Sequence, residues 1–193
     1  MKYRIVGAAK EDAEIIAEGV MAAIGEEICI DLGGGRDSLQ EVKRFFKELA
    51  EKETSQYSYL NTLKAVDECG NIAGVIVAYD GAKLYDLRKA FIDKYNEIFH
   101  GSMTEKDLED ETSPDEIYID TLMVRDEYRR QGIGSLLIES VAEKHACCGK
   151  QLGLLVDYDN PNARKLYVKS NFEGKGNRKF CGVEMEHMQR PLP

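Results

Sequence analysis

The densest chemistry in the chain lies in residues 122–135, Leu122-Met-Val-Arg-Asp-Glu-Tyr-Arg-Arg-Gln-Gly-Ile-Gly-Ser135. The apolar start reads as the end of a strand at Val124. A short basic loop follows, and Gly132-Ile133-Gly134 opens a helix. Glycines at such a turn let the backbone approach a ligand closely and aim its N–H groups inward. The helix start adds unpaired donors and the positive end of the dipole. Arg125, Arg129 and Arg130 place positive charge there in a chain whose formal charge is −9. This chemistry calls for an anion with several oxygens, such as a pyrophosphate. The alternative is a tight strand-to-helix turn whose arginines are merely solvated. A dinucleotide fingerprint fits poorly, because Leu137 stands where its third glycine belongs and the preceding strand comes late in the chain.

Arg129-Arg-Gln-Gly132-Ile-Gly134 resembles the Gln/Arg-x-x-Gly-x-Gly/Ala signature of the GNAT superfamily of N-acetyltransferases, and Leu122-Met-Val124 resembles the strand end that precedes it. About 25 residues on, Asn160-Pro-Asn-Ala163-Arg-Lys-Leu166-Tyr167 and then Phe172 are similar to the family's second motif, Asn-x-x-Ala-x-x-Leu-Tyr followed by Gly-Phe. Asn171 stands where Gly is usual, and Asn tolerates the left-handed end of a helix. The match is close over residues 116–188 and loose before them. It does not account for Gly81 to Asp115.

The resemblance implies a fold, a donor and roles. The fold is α/β: a mixed, mostly antiparallel central sheet of six to seven strands flanked by helices, with a helical insertion between the third and fourth strands. The implied reaction moves an acetyl group from acetyl-CoA to a primary amine by direct attack in a ternary complex, without a metal. Backbone N–H groups of Arg129, Arg130, Gln131, Gly132, Ile133, Gly134 and Ser135 would hold the pyrophosphate. Main-chain groups of Leu122, Met123 and Val124 would pair with the pantetheine arm. Tyr167 matches the tyrosine that protonates the leaving thiolate, with a core tyrosine as its alternative. Asn160 matches an asparagine near the arm, and a plain N-cap would satisfy the same residue. An alkyl ammonium is less than about 0.1% neutral at pH 7, so a base must take its proton before attack. Asp120, and next Glu116, share one strand face beside the expected thioester; the alternative for both is a structural or solvated acid. Two other readings stay open: a catalytically weak CoA-binding regulatory protein, and a transferase of a longer acyl group.

Hydrophobic period places the elements that must hold these residues. Strands are predicted at Tyr3 to Gly7, Leu60 to Val66, Ile72 to Tyr79, Glu116 to Val124, Gln151 to Asp157 and Val183 to Met188. Helices are predicted over 11–24, 38–51, 82–99, 132–146 and 160–170, the last with Asn160 as N-cap and Pro161 in the first turn. Asp31-Leu-Gly-Gly-Gly-Arg36 reads as a flexible break. The insertion, about 81–115, carries the stripe Leu84, Leu87, Phe91, Tyr95 and Ile98. Its acidic tail has seven acids against one lysine between Glu105 and Glu116. The expectation is that this tail walls the acceptor site and favours a cationic amine. Cys147 and Cys148 are expected to pack at a helix end, and His145 and His187 to lie at the surface.

At 193 residues, 43% hydrophobic and 32% charged, the chain reads as a single domain, 1–193. The acidic balance argues against general nucleic-acid binding. No apolar run is long enough for a membrane span. Five cysteines without a Cys-x-x-Cys pair fit free thiols in the cytoplasm. A Walker loop, His-Glu-x-x-His and Gly-x-Ser-x-Gly are missing, which argues against P-loop, zinc-protease and serine-hydrolase chemistry. The acceptor is expected to be a small-molecule or peptide amine, and a homodimer is left open.

Overall fold

A computed structural model describes residues 2–192. Seven strands form one open sheet in the order β1-β2-β3-β4-β5-β7-β6. They are β1 (Tyr3–Gly7), β2 (Thr62–Asp67), β3 (Ile72–Asp80), β4 (Glu116–Val124), β5 (Gln151–Asp157), β6 (Glu173–Phe180) and β7 (Val183–Pro191). Only β4 and β5 run parallel; every other neighbouring pair is antiparallel. Six α-helices cover the faces: α1 (Ala13–Ile24), α2 (Glu26–Gly33), α3 (Leu39–Ala50), α4 (Leu84–Phe99), α5 (Ile133–Lys144) and α6 (Pro161–Lys169).

Each face of the sheet has its own core. On one, Ile133, Leu137, Ile138 and Val141 of α5 pack on Ile76, Ile117, Ile119, Leu152 and Leu154. On the other, α1, α3 and α4 meet around Phe45, whose ring contacts Phe46, Phe91, Tyr95 and Phe99 edge-on or nearly so. The apolar spacing of α3 explains this: Val42, Phe45, Phe46 and Leu49 are buried, while Lys43 reaches Glu14 and Glu18 of α1 across the rim. The stripe of α4 is thus spent on the sheet and on α3.

Two elements depart from the sequence expectation. The stretch taken as a flexible break is partly helix: Asp31 to Gly33 finish α2, which stops because Gly34 takes a left-handed conformation (φ +75°). The sequence expectation places no strand at Glu173 to Phe180. This segment is the sheet's outer edge, almost wholly exposed, with Gly174 and Gly176 and a charged residue at half its positions. No buried face marks such a strand in sequence. Asn171 does adopt the left-handed conformation at the end of α6, with φ +64°.

Candidate active site

The parallel pairing of β4 and β5 stops halfway. Register runs from Glu116 opposite Gln151 to Ile119 opposite Leu154 and ends there. Yet β4 continues to Val124 on β3, and β5 continues to Asp157 on β7. The two strands splay apart, leaving facing edges without partners. The gap opens into a cleft of about 340 Å³ whose walls include Leu122, Met123, Val124, Val156 and Asp157.

At the mouth of this cleft lies the turn into α5. Arg130 (φ +62°) and Gly132 (φ +80°) are both left-handed, and that conformation is costly for an arginine. Among the described residues, the backbone N–H groups from Arg130 through Ser135 donate no hydrogen bond; the helix ladder begins with Leu136 N–H to the Gly132 carbonyl. Consecutive free donors at a helix N-terminus form an anion cradle. Side chains lock the loop from outside. Gln131 Oε1 accepts from Lys2 Nζ at 2.5 Å and Tyr3 Oη at 2.6 Å, which ties the turn to β1. Arg129 lines the cleft, donating from Nε to the Val124 carbonyl at 3.2 Å and pairing with Asp126.

Gly134 has a different job from Gly132. A Cβ on Gly134 would lie 2.9 Å from Leu166 Cδ2, so this glycine lets α6 pack against α5. A Cβ on Gly132 would meet nothing within 4 Å; there the positive φ is what requires glycine.

Asp120 sits on a β-bulge. Val77 pairs with Thr121 and Ala78 with Ile119, so Asp120 has no partner on β3. Ile119 and Leu122 both belong to the α5 side of the sheet, while Thr121 and Met123 approach Gly19 of α1 on the other. Asp120 and Thr121 therefore share the α1 side, and the bulge re-aims the carboxylate into the cleft, which it lines with Tyr118. Burial, then the charge of Glu111, pushes Asp120 up to about 7 against hydrogen bonds from Thr121 and Gln56. Such a carboxyl is poised to exchange a proton near neutrality.

Glu116 lies elsewhere. It is fully buried and does not line the cleft. Burial pushes its pKa up, but hydrogen bonds from His187, Gln189 and Thr112 outweigh that and hold it down at about 2. The contacts are 2.9 Å to His187 Nε2, 2.7 Å to Gln189 Nε2, 2.8 Å to Thr112 Oγ1 and 2.8 Å to Ser113 N. A carboxylate this well served is a poor base. It fastens the tail of the insertion to β7, against the expectation of a base at this position. Its room is made by Gly153 on β5, where a Cβ would fall 2.0 Å from Glu116 Oε2. His187, expected at the surface, is buried as its partner. Cys147 and Cys148, expected to pack, are exposed.

Tyr167 lines the opposite wall. Its ring packs edge-on against Phe172 at 5.9 Å, and burial pushes its phenol up to about 12. A phenol held protonated is a donor. Asn160 caps α6, its Oδ1 accepting from Ala163 N at 3.1 Å, and also lines the cleft.

The insertion's acids have largely found internal partners. Arg88 of α4 is 2% exposed and binds Glu105, Asp110 and Glu111 together with the Glu109 carbonyl. Asp107 caps Thr104, and Glu109 accepts from Gly182 N at 3.1 Å. The last contact brings the insertion against the β6–β7 turn. Sequence reasoning missed Gln56, which links this region to Asp120. It lies in a loop whose Ser55, Gln56 and Ser58 are all buried, and hydropathy gives no sign of a buried polar loop.

The acetyltransferase (GNAT) family model matches residues 34–172. With this fold and cleft, the chain belongs to the GNAT acetyltransferase family. It is therefore a transferase of a family that moves acyl groups from CoA-type donors. No curated protein matches it. Among solved structures, one acetyltransferase is 30% identical, with a TM-score of 0.77 over 98% of this chain and 100% of that one. An N-acetyltransferase from Staphylococcus aureus Mu50 is 23% identical, with a TM-score of 0.75 over 97% and 100%. A GNAT phosphinothricin acetyltransferase from Sinorhizobium meliloti, crystallised with AcCoA, is 18% identical, with a TM-score of 0.57 over 100% and 89%. No helix among the described residues is long and apolar enough to cross a membrane.

Proposed function

We propose that the protein is an acetyl-CoA-dependent N-acetyltransferase that acetylates a primary amine by direct attack in a ternary complex. The observation that carries this reading is the interrupted β4–β5 pairing, which leads from a cradle of free N–H groups to a raised carboxyl and a protonated phenol in one cleft. The residues present fit the donor. The Arg130–Ser135 N–H groups suit a pyrophosphate, and the open edge at Leu122, Met123 and Val124 suits an amide-bearing arm. Acetyl-CoA supplies the activated acyl group and a thiolate leaving group.

The chain supplies the proton handling. Asp120, ionised, takes a proton from the amine, directly or through one water. Tyr167 Oη gives a proton to the departing sulfur. Both groups line the cleft, and their pKa values are held well apart, the pattern of a base and an acid serving one reaction.

The test is release of CoA from acetyl-CoA with a panel of primary amines, beside melting curves with acetyl-CoA and with NAD. Bound ligand raises the melting temperature by mass action. Acetyl-CoA is expected to raise it, NAD is not, and at least one amine is expected to drive CoA release. A shift without CoA release above background would make the protein a CoA-binding regulator. No shift with acetyl-CoA would overturn the reading altogether.

A further inference from the structure

Beside the cleft lies a second pocket of about 110 Å³, between the Gln56 loop, α4, the tail of the insertion and the β6–β7 turn. Phe180 lines both spaces, so they adjoin. Phe91, Leu108 and Phe180 make apolar walls. Three acidic residues line the pocket, Asp107, Glu109 and Glu111, against a single basic one, Arg88, which is already shared with Glu105 and Asp110.

Gln56 supplies the independent observation. It is 4% exposed and lines this pocket, and its Oε1 has no hydrogen-bond partner among the described residues. Its Nε2 donates to Glu111 Oε1, at 3.5 Å, and also serves Asp120. A buried carbonyl oxygen left without a donor is destabilising, and it can only be satisfied by an N–H or O–H. Nearby carboxylates select a charged donor over a neutral one. Apolar walls suit the methylene groups that would lead to it.

We infer that the second pocket holds the far end of the acceptor, a second positively charged nitrogen joined by a short alkyl chain to the amine that reacts at Asp120. The inference rests on the proposed acetyl transfer and names its substrate class: diamines and related polycations. The volume, about four times the roughly 30 Å³ share of one water in the liquid, suits a chain end rather than a folded peptide.

The experiment compares α,ω-diamines, from 1,3-diaminopropane to 1,6-diaminohexane, with the monoamine of the same chain length. One arm measures kcat/KM at saturating acetyl-CoA. The other measures the melting shift caused by each amine alone. In the wild type the best diamine is expected to exceed its monoamine by about tenfold, the effect of one charged hydrogen bond, and to raise the melting temperature. Gln56→Leu and Glu109→Gln should each pull the diamine-to-monoamine ratio towards one and abolish the shift. The ratio cancels whatever Gln56 does to Asp120. Glu109→Gln keeps an oxygen for Gly182 N, so a folded variant is available if Gln56→Leu fails to fold. Equal rates for diamine and monoamine in the wild type, or a ratio that both folded variants leave intact, would overturn the inference while acetyl transfer stood. A diamine that shifts wild-type melting but not that of the variants, yet is never acetylated, would uphold the pocket and overturn the reaction.

Discussion

Replacing Asp120 with Asn separates catalysis from stability at a single residue. In the wild type the carboxyl is raised from 3.8 to about 7, first by burial and then by Glu111. Between those pH values an unfolded chain carries Asp120 ionised while the folded chain keeps it protonated. Its stabilising effect is therefore complete below 3.8 and is lost as pH rises to about 7, above which holding the charge has a constant cost. Each pH unit is worth about 1.4 kcal/mol, so the full cost is about 4 kcal/mol. Because Asp120 is open to the cleft on one side, solvent screening brings the expected value nearer to 2 kcal/mol. Asp120→Asn should therefore unfold at higher urea or temperature than the wild type at pH 8, with the two curves converging towards pH 4. Activity should move the opposite way. Wild-type kcat/KM for the amine should rise about tenfold between pH 6 and pH 8, following ionisation of a group near 7. The Asn variant should lose about 10²–10⁴-fold in kcat and lose that limb of the profile. Urea melts and steady-state rates from pH 5 to 9 supply both readouts. A variant that keeps the wild-type pH profile would refute the assignment of Asp120 as the base, and one less stable than wild type at pH 8 would refute the account of its raised pKa.

Tyr167→Phe keeps the contact with Phe172 and removes only the hydroxyl, so kcat should fall about 10²–10⁴-fold with the acetyl-CoA melting shift unchanged; equal turnover would return Tyr167 to a packing role. Gly132→Val forces a β-branched side chain into φ +80° and should abolish the acetyl-CoA shift with the fold kept by circular dichroism, whereas Gly134→Val should instead lower the melting temperature by pushing on Leu166. Glu116, held down at about 2 from 4.5, stabilises the fold above pH 4.5 and loses that effect as pH falls through 2. Glu116→Gln should therefore cost about 3 kcal/mol at pH 7, less at pH 3, in urea titrations.

Legibility in the sequence followed burial. β4 and β5 were read to the residue because their apolar runs lie at the centre of the sheet. The start of α6 was read from chemistry alone, Asn160 before Pro161. The turn at Arg129–Ser135 was recognisable because its run of free N–H groups depends on glycine and on a helix start, which a sequence states openly. The division of labour between Gly132 and Gly134 depends on Leu166, and sequence spacing does not express that contact. Asp120 and Glu116, four residues apart on one strand face, both stand as candidate bases in the sequence, Asp120 ahead only because it lies nearer the expected thioester. The bulge at Asp120 and the ring of donors around Glu116 set them apart, and both arise from chain segments distant in sequence.

The half-open seam between β4 and β5 also bears on how the molecule keeps to itself. Free strand edges invite pairing with other chains, and proteins usually blunt them. Here the unpaired edges face each other across the cleft, which Tyr167 of α6 and its cap residue Asn160 also line. A flat strand from another molecule would have to enter that gap edgewise, between walls that meet at Ile119 and Leu154. A slender, flexible chain with amides spaced along it meets no such obstacle. The seam thus keeps its unpaired strand edges inside a cleft lined by side chains, and not on the outer rim of the sheet where a neighbouring chain could pair with them.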